Sequence, residues 1–142
     1  MNENIIEDLV KDQEKSMTQN RDQAAYKDLL VWQRGMDFAN NVIKAIDEME
    51  TPRKHFRLIE QLEAAVTSIP LNIAEGKGRS SKKEFIQFLY IARGSTYETL
   101  TLLEIFKNLD WLNEDKFKEL EDKAIEIIKM LKGLIKAIAH NI

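Results

Sequence analysis

Apolar residues recur along this chain at steps of three and four over four long stretches, the spacing that lines one face of an α-helix. From Tyr26 to about Glu48 the stripe runs Leu29, Trp32, Met36, Ala39, Val42 or Ile43, and Ile46. Thr51 and Pro52 end it, because proline cannot continue a helix and biases the residue before it away from helical geometry. A second helix over about 53–75 carries Ile59, Leu62, Val66, Ile69 and Ile73, with Leu58 and Ala65 beside that seam. Pro70 falls inside the pattern and would leave the carbonyl of Val66 without its intrahelical donor, so a bend is predicted there, with Thr67 or Ser68 helping to satisfy the freed groups. Gly76 and Gly78 then supply the open or left-handed geometry of a helix end.

Ser81 followed by Glu84 makes a capping box that opens a third helix over about 81–109. Its main stripe is Phe85, Phe88, Leu89, Ala92, Thr96, Thr99, Leu103 and Phe106, and a second set (Ile86, Tyr90, Ile91, Tyr97, Leu100, Ile105) widens the apolar surface beyond one face. A helix apolar on more than one face is expected to be buried on more than one side. Asn113 caps a fourth helix over about 114–140, with Glu114 and Asp115 in its first turn and Lys129, Lys132 and Lys136 toward its end, the sense the helix dipole favours. Four helices of this length joined by short connections predict an all-α fold, an up-down antiparallel four-helix bundle over residues 26–142. Residues 1–25 are polar and read as a flexible acidic leader with one short amphipathic cluster, Ile5, Ile6, Leu9 and Val10; the functional alternative for this segment is docking to a neighbouring subunit.

Composition sharpens this picture by exclusion. In 142 residues, 44% hydrophobic and 32% charged, five glycines and two prolines leave too few turn residues for a sandwich or barrel. The absence of cysteine removes disulfides, thiolate catalysis and sulfur-ligated zinc, and with no signal-like start it suits a cytoplasmic protein. The uncharged stretch Ala64 to Ala74 is far short of the roughly 20 residues a membrane helix needs. Residues 1–25 hold six acids and three bases, whereas residues 26–142 hold 18 of each sign. A neutral body offers no global field for nucleic acid, so such binding would need a local patch.

Catalytic raw material is scarce. A ferritin-like metal site needs Glu-x-x-His pairs, but Pro52 and Ala137 stand three residues before His55 and His140. No metal, cofactor or nucleophile is therefore expected, and the only acid/base pair worth weighing for a hydrolase is Glu75 with Glu98. The run Gly76 to Ser81 resembles a phosphate nest but lacks the P-loop spacing and reads as a helix-helix turn. Trp32 and Trp111 read as packing or interface anchors rather than nucleobase platforms.

The segment from Gln61 to Glu98 is the most distinctive. It holds Gln61-Leu62, Ser68-Ile69-Pro70-Leu71-Asn72-Ile73-Ala74-Glu75-Gly76, Arg79, Glu84-Phe85-Ile86-Gln87-Phe88-Leu89, Ile91-Ala92-Arg93-Gly94-Ser95 and Glu98, preceded by Leu29-Leu30-Val31-Trp32-Gln33. With these motifs in this order, residues 26–135 resemble the bacterial four-helix bundle family of proteins encoded in 23S ribosomal RNA intervening sequences. The resemblance implies a four-helix protomer, no known enzyme activity and a cyclic homopentamer. Accessory proteins of diversity-generating retroelements use the same fold, associate with a reverse transcriptase and bind nucleic acid through a basic surface. Pro52-Arg53-Lys54-His55 looks like the start of their second helix, while Glu63 and Ala64 stand where the family commonly has arginines.

Two functions follow as expectations. The first is a non-catalytic, self-assembling scaffold in which Asn72, Glu75, Arg79, Arg93 and Glu98 form a polar network fixing the register of helices two and three, with Gly94 and Ser95 admitting a neighbouring helix closely. The second is a nucleic-acid-binding accessory of a reverse-transcribing or RNA-processing system, whose candidate contacts are Arg53, Lys54, Arg57, Lys77, Arg79, Lys82 and Lys83. Five bases against one acid between Gly76 and Arg93 give that reading its patch.

Overall fold

A computed structural model describes residues 2–11, 25–49 and 55–142. Among them every regular element is helical and there is no strand. A short helix, α1, spans 3–11. A 3-10 turn, Ala25–Asp28, precedes α2 (Leu30–Glu48), followed by α3 (Phe56–Lys77), α4 (Lys82–Asn108) and α5 (Glu114–His140). The flexibility expected of the leader falls mainly on 12–24, and the Thr51-Pro52 stop with Arg53 and Lys54 falls on 50–54; both lie outside the described residues.

The chain does not run helically from Tyr26 into α2. Leu29 is extended (φ −71°, ψ 120°) and has no side-chain oxygen to cap the helix, so the 3-10 turn stays separate. Gln33 ties the two together by donating from Nε2 to the carbonyl of Lys27 at 2.8 Å, and Tyr26 packs edge-on against Trp32 with centroids 5.2 Å apart. The later caps follow side-chain chemistry: Ser81 Oγ accepts from the Glu84 backbone N–H at 3.1 Å, and Asn113 Oδ1 from that of Lys116 at 2.7 Å.

Each of the four long helices touches two others, α2 on α3 and α5, and α4 on α3 and α5. Phe38, Val42, Leu62, Ile69, Leu89, Leu103, Phe106, Leu120 and Leu131 are fully buried between them. The ion pairs Lys123–Asp37 (3.0 Å) and Arg34–Glu126 (3.2 Å) step in opposite senses along α2 and α5.

Pro70 is buried within an α3 that continues to Lys77. The expected hydroxyl compensation is not made: Thr67 Oγ1 donates to the carbonyls of Glu63 (2.8 Å) and Ala64 (3.2 Å), and Ser68 turns toward α4. A β-branched hydroxyl in a helix reaches the preceding turn more easily than its own neighbour's carbonyl. The glycines at the end of α3 also serve differently from expectation. Gly78 is right-handed (φ −76°), and no glycine among the described residues has positive φ. Gly76 is required by proximity, since a Cβ there would lie 2.6 Å from Cβ of Phe88.

Candidate functional site

The sequence motif assembles where α3 crosses α4, but through different side chains from those expected. Hydroxyls of Ser68 and Ser95 share a hydrogen bond of 2.8 Å across the interface. Asn72 Nδ2 donates to both Oγ and the backbone carbonyl of Ser68, each at 2.8 Å. One turn beyond Ser95, Thr99 Oγ1 returns a 2.8 Å bond to the Ser95 carbonyl. Ser95, Thr96 and Thr99 are all buried, and among the described residues every buried side-chain nitrogen and oxygen has a partner. A satisfied polar seam inside an apolar interface fixes register, because sliding either helix would strand its hydroxyls without partners.

The single network expected of Asn72, Glu75, Arg79, Arg93 and Glu98 is instead four separate contacts. Asn72 joins the serine seam. Glu75 and Arg79 pair with each other at 2.6 Å one turn apart, with both side chains about half exposed, and the Arg79 guanidinium lies over Phe88 at 4.8 Å. Arg93 stacks over Tyr90 of its own helix at 4.8 Å. Glu98 accepts from Gln61 Nε2 at 3.4 Å. Long charged side chains reach local partners more cheaply than they surrender water to meet across an interface. Since Gln61 lies 14 residues before Glu75 on α3, the Glu75 and Glu98 carboxylates are set about 20 Å apart along the helix axis. That pair is not a convergent acid and base.

Gly94 also departs from expectation. A Cβ there would meet nothing within 4 Å, and the close contact with α3 is made by Ser95. Gly94 lies on the outer face of α4 with Tyr90, Ile91 and Tyr97, which are 46–49% exposed. In a single chain Tyr90, Ile91, Tyr97 and Ile105 of the second apolar set are therefore partly uncovered, while Ile86 and Leu100 pack against the core.

The basic candidates divide by position. Lys77, Arg79, Lys82 and Lys83 gather at the α3–α4 turn, all exposed. Arg79 is already engaged by Glu75, and Lys82 Nζ donates to the carbonyl of Asn141 at the end of α5 at 3.2 Å. Arg57 stands at the other end of α3, 20 residues or about 30 Å away. Trp111 packs against His55 (4.8 Å) and Phe106 (5.1 Å) at that end. No group of three His, Cys, Asp or Glu side chains among the described residues could hold a metal ion. On the exposed surface of α5, hydrogen bonding to Asp122, with a lesser contribution from Glu121, raises the Lys118 ammonium above its ordinary pKa.

A feature without a single-residue signature is an open groove of about 480 Å³ between α2 and α3, walled by Tyr26, Trp32, Met36, Ile43, Pro70 and Leu71. Tyr26 enters it only because the 3-10 turn folds back onto Trp32. Of its exposed apolar residues, Met36 and Ile43 were legible only as members of the first helix's core-facing pattern, and Leu71 only as part of the quoted motif.

These features define an all-helical protein with a polar seam at one helix crossing and uncovered apolar surface on two sides. Residues 27–133 match the 23S rRNA-intervening sequence protein family, and the chain belongs to that family. A solved structure, a protein of unknown function from the S23 ribosomal protein family of Bacteroides thetaiotaomicron, is 26% identical, with a TM-score of 0.70 over 75% of this chain and 99% of that one. No curated protein matches the chain. No helix among the described residues is long and apolar enough to cross a membrane.

Proposed function

We propose that this chain is an up-down antiparallel four-helix bundle protomer that acts without catalysis as a self-assembling scaffold, forming a cyclic homopentamer in the cytoplasm. The carrying observation is the outer face of α4, where Tyr90, Ile91 and Tyr97 stand about half exposed around Gly94. Aromatic and aliphatic side chains clustered on one face are the usual anchors of subunit contacts, and a glycine among them lets another backbone come close. Light scattering at micromolar concentration tests it: the expected mass is about five times 16.5 kDa, and the mass of one chain overturns the scaffold reading.

A second reading, a nucleic-acid-binding accessory of a reverse transcriptase or RNA-processing system, is favoured by Lys77, Arg79, Lys82 and Lys83 at one turn. With Arg79 and Lys82 partly engaged, this reading entails weak, sequence-independent binding. Its affinity should fall with salt at a log-log slope of roughly −0.7 to −0.9 per phosphate contacted. Titration of labelled RNA and duplex DNA at low and physiological salt decides it, and no binding at low salt removes it.

A further inference from the structure

Two uncovered apolar features of this chain fit one another. On α1, Ile5, Ile6, Leu9 and Val10 fall within one arc of the helix and are 46–54% exposed, while Glu7, Asp8 and Lys11 lie outside that arc and Glu3 borders it beside Val10. The second feature is the groove between α2 and α3. We infer that α1 of one copy docks by its apolar face into the α2–α3 groove of a second copy.

Dimensions favour this occupant. Nine residues of helix are about 14 Å long, and the groove from Trp32 to Ile43 spans about 16 Å of α2. Helix-in-groove recognition needs apolar anchors at steps of three and four, and Ile5-Ile6-Leu9-Val10 supplies them. The connection between them also ends in the right place. Residues 12–24 join α1 to the 3-10 turn whose Tyr26 forms one wall of the groove, and thirteen residues reach at most about 45 Å. A second copy whose groove lies within that reach can receive α1. In the single chain both the helix face and the groove remain open, and exchange between copies covers both at once. The family match begins at residue 27, so α1 lies outside the matched segment. The outer face of α4 does not line the groove, so this docking goes beyond the proposed assembly contact and can fail separately from it.

The absence of native cysteine makes the test direct. A chain carrying Leu9→Cys is mixed with one carrying Ile43→Cys, treated with a short bismaleimide and separated by mass under denaturing conditions. Both positions are exposed, so neither change removes core packing. The expected result is a covalent heterodimer, roughly tenfold or more above the yield with Lys129→Cys, on α5 away from the groove, in place of Ile43→Cys. Adding Met36→Glu to the groove chain should abolish it. A chain carrying both cysteines that closes only within itself, or a mixture that yields no more heterodimer than the control, overturns the proposal. Repeating the mixture with Tyr97→Glu in both chains separates the two readings. Heterodimer that persists when the ring is lost upholds docking alone, and a ring without heterodimer upholds assembly alone.

Discussion

Gly76 shows how one missing side chain sets the spacing of two helices. Its would-be Cβ lies 2.6 Å from Phe88 Cβ and 3.2 Å from the Phe85 ring, so α3 and α4 could not keep their separation around alanine. Gly76→Ala should cost about 1–3 kcal/mol through overpacking, more than the roughly 1 kcal/mol that alanine gains in helix propensity. Gly133 on α5 has nothing within 4 Å, so Gly133→Ala keeps the gain without the clash. Thermal melts should therefore move in opposite directions for the two substitutions, and a parallel shift would refute the spacing role. Asn72 and Glu75 differ in the same way despite adjacent places in one motif. Asn72→Ala removes two hydrogen bonds from the half-buried seam and should lower stability by about 1–2 kcal/mol. Glu75→Ala breaks a half-exposed pair and should change it by less than about 1 kcal/mol. Chemical denaturation of the two variants checks this ranking.

At the scale of elements, helix ends were legible where a side chain supplies the missing partner. Ser81 and Asn113 announce α4 and α5 because their oxygens accept the backbone N–H three residues on, a contact confined to one turn. Ser81→Ala should cost about 1 kcal/mol and restore with Ser81→Asp, read from urea unfolding. The start of α2 was not legible in this way. Leu29 belongs to the apolar stripe, and whether the chain bends there depends on Tyr26 meeting Trp32 and Gln33 meeting the Lys27 carbonyl, contacts that periodicity cannot register. Thr96 and Thr99 were readable only as members of a stripe. Their hydroxyls are tolerated in the interior because each bonds to the carbonyl four residues back, at 2.9 and 2.8 Å.

For the whole molecule, the question is which surfaces remain uncovered once the four long helices have closed on their core. If the outer face of α4 joins subunits, Tyr90→Glu or Tyr97→Glu should reduce the particle to smaller species while leaving helical circular dichroism unchanged, since both side chains are about half exposed in the single chain. Light scattering and circular dichroism on the same samples check this; an unchanged mass would place the subunit contact elsewhere.

The sequence by itself determined the helical class and the capped ends, because both depend on contacts within a few residues. It also carried the family's ordered motifs, which place the chain in the 23S rRNA-intervening sequence proteins. Tertiary structure alone decided the polar contacts that cross between helices, Ser68 with Ser95 and Gln61 with Glu98. Ser68 and Ser95 stand 27 residues apart, and only the crossing of α3 and α4 brings their hydroxyls to 2.8 Å, while Glu75 and Arg79 find each other within one turn. It also decided which apolar residues stay uncovered. Spacing marks Met36, Ile43, Tyr90 and Ile91 as apolar positions on helices, but helix rotation and neighbour contacts determine whether each meets core or solvent.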